Sequence, residues 1–175
     1  MRLLESTPNS VLWLLATNKS AETNLRMEAQ RRRIDPSRLV FAPKKKLSEH
    51  LARHAFADLF LDTLPYNAHT TASDALWAGL PVVTCQGETF PGRVCASLLQ
   101  AVGLPQLITT SLSDYENLAL RLANSPDLLK EIRSQLLHNR TTFPLFDIAR
   151  FTAHLETAYA KMWRRWQAGE KPQSF

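Results

Sequence analysis

Short apolar runs alternate with longer amphipathic stretches along this chain, and that alternation restricts its fold more than any other feature. Residues 11–16 (VLWLLA) form a continuous apolar run, the pattern of a strand buried on both faces. A helix follows over about 21–33 and stops before Asp35-Pro36, because the residue preceding a proline is pushed out of the helical region. Further strands are predicted at 39–42, 57–62, 81–84 and 106–108. Helices are predicted at 47–54, 70–78 (closed by Gly79), from the loop 86–92 through 101, and at 113–124, 127–139 and 147–167. Strand, helix and short connection in turn imply an α/β fold, a Rossmann-like parallel sheet with helices on both faces. The 175 residues fit one domain, with the core sheet over about 9–110 and a helical C-terminal part over about 111–168.

The long last helix carries Ile148, Phe151, Leu155, Tyr159, Met162, Trp163 and Trp166 on one stripe, which requires a partner surface. Packing into the core is expected, with membrane contact through residues 161–166 as the less common alternative. No run reaches the ~18 apolar residues of a membrane span, and an acid interrupts the short apolar start, so a cytoplasmic protein is expected. Cys85 and Cys95 lie in apolar surroundings without metal-ligand spacing and read as buried free thiols. The net charge of +5 favours anionic partners. Arg31-Arg32-Arg33 suits a helix C-terminus, and with no aromatic interleaving or DNA-reading motif no nucleic-acid partner is expected.

Parallel sheets bind ligands beyond the carboxyl ends of their strands, which directs attention to four loops. After the third strand, His69-Thr70-Thr71 opens a helix whose first N–H groups lack internal partners. With two hydroxyls and the positive end of the helix dipole, this is an anion site; simple capping by threonine explains the same residues. Asp74, one turn on, suits ribose hydroxyls. Pro43-Lys44-Lys45-Lys46 follows the second strand, and His50 and Arg53 share a helix face near that edge. Gly87-Glu88-Thr89 and Arg93 fit either a cleft mouth or a tight turn. The chain contains no P-loop, dinucleotide fingerprint, GxSxG elbow or HExxH set, which argues against those four enzyme classes.

Together these segments resemble the O-GlcNAc transferases, glycosyltransferase family 41. The likeness is carried by residues 9–15, 38–41 and 57–63, by His69-Thr70-Thr71, by 74–79 (DALWAG), 81–84 and 87–89, and by the ending from 144 to 172. The resemblance implies the C-terminal lobe of a GT-B fold, metal-independent use of UDP-GlcNAc, no cofactor, and transfer of GlcNAc to Ser or Thr hydroxyls of acceptor proteins. By similarity His69, Thr70 and Thr71 hold the diphosphate and Asp74 the ribose, while the backbone around Lys45, with His50 and Arg53, holds the uridine side. Leu47 departs from the family, which often has a lysine there. The resemblance also implies that the lobe's first strand, a phosphate-contacting lysine, the N-terminal catalytic lobe and TPR repeats lie outside the segments matched here. Catalytic groups are therefore expected outside this chain, which is expected to bind UDP weakly and to be inactive alone. A non-catalytic, self-associating interaction lobe and a transferase for another UDP-sugar are the alternatives.

Overall fold

The computed structural model describes residues 1–174. Its elements run α1 (Arg2–Ser6), β1 (Leu12–Leu15), α2 (Lys19–Arg31), β2 (Leu39–Ala42), α3 (Leu47–Arg53), β3 (Phe60–Leu61), α4 (Thr70–Trp77), β4 (Val82–Cys85), α5 (Val94–Ala101), β5 (Ile108–Thr109), α6 (Leu112–Ala123), α7 (Pro126–Thr142) and α8 (Ile148–Gln167). The chain is α/β, every strand pair is parallel, and a long helix ends it.

Local chemistry sets the boundaries. Asn18 caps α2 by accepting the N–H of Ala21, Ser111 caps α6 through Asp114, and Asp147 caps α8 through Arg150. Gly79 ends α4 at φ 82°, a left-handed conformation that costs glycine little. β4 is buried along its whole length, as a strand covered on both faces must be. Around it sits the main core, which includes Leu76 of α4, Leu99 of α5, Leu122 of α6 and Leu136 of α7. A smaller cluster of Leu4, Ala29, Ile34 and Leu39 lies under β1 and β2.

The strands depart from expectation in four ways. The strands form two sheets rather than one, β1-β2 and β3-β4-β5, with no backbone ladder between β1 or β2 and β3 among the described residues. The apolar run of β1 accordingly alternates between half-buried and exposed positions instead of being fully covered. The strand expected over 57–62 shrinks to Phe60–Leu61 because Ala57 closes a turn onto His54 and Pro81 offers β3 a carbonyl but no N–H. Likewise the strand expected at 106–108 begins as a 3-10 turn (Pro105–Leu107) and pairs only at Ile108–Thr109.

Helix α8 differs from expectation as well. Its apolar stripe is not part of the core: no residue of the helix is buried, Ile148 is 72% exposed and Trp166 69%. Among the described residues the main core draws none from α8. No helix among the described residues is long and apolar enough to cross a membrane.

Candidate functional site

The loop from β3 to α4 builds a concave wall. Asp62 ends the β3 ladder, its N–H donating to Val83 of β4. Asp62 is 4% exposed, and its carboxylate accepts the N–H groups of Thr63 and Ala68 and the hydroxyl of Thr84, at 2.8, 2.7 and 2.6 Å. The Tyr115 hydroxyl donates to the Asp62 carbonyl at 2.8 Å. Asn67 donates its amide to the Thr63 carbonyl and its backbone N–H to Pro91, which pins the loop to the neighbouring turn. The result is a closed loop that delivers His69 to the start of α4.

A cavity of about 510 Å³ opens there, lined by His69, Thr70 and Thr71 together with Asp62, Tyr66 and Asn67. No side chain caps α4, and the backbone N–H groups of Thr70 and Thr71 have no acceptor among the described residues. The capping explanation for these threonines therefore fails, since His69 occupies the cap position and the threonines are the first two helical residues. Unsatisfied N–H groups at the positive end of a helix, flanked by two exposed threonines, can donate hydrogen bonds to an anion. His69 stacks on Tyr66 with ring centroids 4.9 Å apart and meets Phe90 edge-on at 6.2 Å. Its Nε2 is buried without a hydrogen-bond partner, as is Oδ1 of Asn67, whose residue is 1% exposed. Buried polar atoms rarely stay unpaired.

Two further expected residues, His50 and Arg53, lie on α3, outside the lining of this cavity. Arg53 donates from Nε to Nδ1 of His50 at 3.1 Å and from a terminal nitrogen to the Pro43 carbonyl at 2.9 Å. Its guanidinium also lies over the ring of Trp13, 5.8 Å from the centroid. Burial holds the His50 pKa below its usual 6.5, with the charges of His54 and Arg53 adding to the effect; Asp74 opposes it. The acid of α4 thus lies within electrostatic range of the imidazole on α3. With Nδ1 taken as an acceptor, neutral His50 carries its proton on Nε2 and can donate from there.

Of the expected residues, His69, Thr70 and Thr71 share the cavity, His50 and Arg53 pair on α3, and Asp74 acts on His50 through its charge alone. Lys45 is on the exposed loop before α3, outside the cavity lining, in a surface pair with Glu49 at 3.7 Å. Such a pair adds little to stability, so Lys45 stays available. The 87–92 segment is a tight turn: Gly87 donates to the Gly92 carbonyl at 2.7 Å, and Gly92 donates to the Thr89 hydroxyl at 3.2 Å. The sequence alone does not mark Asp62, Tyr66, Asn67 and Thr84 as site residues. The one available signal was an acidic residue ending an apolar strand.

Both cysteines are buried and free, and burial together with the charge of Asp62 pushes the Cys95 thiol far up. Among the described residues no group of three or more His, Cys, Asp or Glu is placed to hold a metal ion.

The model of Glycosyl transferase family 41 matches residues 1–155. The chain is 37% identical over 169 residues to a UDP-N-acetylglucosamine--peptide N-acetylglucosaminyltransferase of Caenorhabditis elegans, covering 97% of this chain and 15% of that protein. It is 39% identical over 174 residues to the probable UDP-N-acetylglucosamine--peptide N-acetylglucosaminyltransferase SEC of Arabidopsis thaliana, covering 99% and 18% respectively. The solved structure of a mutant O-GlcNAc transferase from Thermobaculum terrenum superposes with a TM-score of 0.86 at 32% identity, covering 93% of this chain and 32% of that one. The chain thus spans less than a fifth of the length of these curated relatives.

Proposed function

This chain belongs to glycosyltransferase family 41, and we propose that it is the UDP-GlcNAc-binding part of a protein O-GlcNAc transferase. The observation that carries the reading is the uncapped start of α4, where the free N–H groups of Thr70 and Thr71, their hydroxyls and His69 face one cavity. Glycosyl transfer builds negative charge on the departing diphosphate, and preorganised donors stabilise that charge. In this assignment His69, Thr70 and Thr71 hold the diphosphate and Asp74 accepts from the ribose. His50, Arg53 and the backbone at Lys45 hold the uridine. The donors do this work without a metal or other cofactor.

The acceptor is a Ser or Thr hydroxyl of an intracellular protein, engaged through the longer transferase and its TPR repeats; acid–base groups are assigned to no residue of this chain. The relatives named above as peptide N-acetylglucosaminyltransferases support this donor and acceptor. No nucleic acid or membrane takes part. Calorimetric titration with UDP tests the reading. Binding that weakens in Thr71→Val and Asp74→Ala supports it, and a wild-type chain that releases no heat with UDP refutes it.

A second reading is favoured by the free edges of β1 and β3 and by the uncovered stripe of α8: the lobe associates with itself or with another protein surface. Light scattering separates the two, since a stable dimer indifferent to UDP supports the second.

A further inference from the structure

We infer that Asp62 is the positioning residue of the anion site: its carboxylate sets the start of α4 against the cavity. The inference rests on the proposed diphosphate role of Thr70 and Thr71 and adds what holds them there.

Asp62 is a buried acid with no cationic partner in hydrogen-bond or ion-pair range among the described residues. A buried charge persists only where several donors converge on it. Three do so here. Two are backbone N–H groups at either end of the loop, Thr63 and Ala68, and both meet the same oxygen. The third, the Thr84 hydroxyl, meets the other oxygen from β4, the fully buried strand at the centre of the sheet. Thr84 is itself held, its carbonyl accepting the Thr109 hydroxyl at 3.0 Å. The carboxylate therefore links the rigid sheet to Ala68, the residue just ahead of His69. The acid is explained by the need to fix the loop's exit tightly, because anion receptors tolerate little misplacement of their donors.

Removing the charge while keeping the shape tests this. In Asp62→Asn one amide hydrogen faces the Thr84 hydroxyl in place of a carboxylate oxygen, and the N–H groups of Thr63 and Ala68 lose a charged acceptor. We expect UDP affinity to fall about tenfold, while affinity for uridine, which lacks the phosphates, stays within twofold of wild type. Thr84→Val, near-isosteric, should weaken UDP in the same direction by about threefold.

Equal loss for UDP and uridine, or UDP affinity unchanged in Asp62→Asn, overturns the inference. Should Asp62→Asn not fold, Thr84→Val decides by the same comparison. Should the wild-type chain not bind UDP, the functional reading falls by itself. The amide resonances of Thr70 and Thr71 in the ligand-free proteins then decide the positioning role. Shifted positions in Asp62→Asn uphold it, and unchanged positions refute it.

Discussion

Arg53 donates its Nε–H to Nδ1 of His50 across one turn of α3, so the neutral imidazole keeps its proton on Nε2. The two side chains work as a pair, one cation orienting one neutral donor.

The first prediction concerns that ring. Nitrogen NMR should show Nδ1 of His50 as the unprotonated nitrogen, and a pH titration should give a midpoint below 6.5. Asp74→Asn should lower the midpoint further, because Asp74 favours the charged ring, and Arg53→Gln should raise it. The stability effect has a definite sign. The folded chain resists protonation at a pH where the unfolded chain accepts it, so the contribution of neutral His50 is full above 6.5 and declines as the pH falls below it. A midpoint above 6.5 contradicts the geometry.

A backbone prediction follows from Gly103, which follows α5 at φ 73° and lies where an added Cβ would come within 2.2 Å of the Phe143 ring. Gly103→Ala should destabilise the chain by about 1–3 kcal/mol, from left-handed backbone strain and displacement of that ring. Chemical denaturation reads this directly, and an unchanged midpoint rules it out.

Helix α8 buries none of its residues, so a chain ending after Asp147 should keep its stability within about 0.5 kcal/mol of the full chain. A loss of several kcal/mol would mean that the apolar stripe packs on the body of the molecule.

Much of this architecture was legible in the sequence, and the exceptions have physical causes. β2 and the start of α4 fall where the apolar pattern and the polar opening of the helix put them, because both signals are local. β3 does not, since its length depends on which carbonyls and N–H groups β4 presents, and Pro81 is a tertiary neighbour rather than a local one. The stripe on α8 shows that apolar periodicity establishes a helix with a sticky face without saying where its partner is. At the site, His69, Thr70 and Thr71 were visible as a helix opening. Asp62 was not, because its role is defined by Thr84 and Ala68, 22 and six residues away in the chain.

Residue-resolved NMR during UDP titration tests the central claim most directly. The largest amide shifts are predicted at Thr70 and Thr71, with smaller ones reaching His50 and Asp74, and both sets should diminish in Thr71→Val. Saturable binding that leaves the amides of residues 69–74 unmoved would contradict the assignment of the diphosphate to the start of α4.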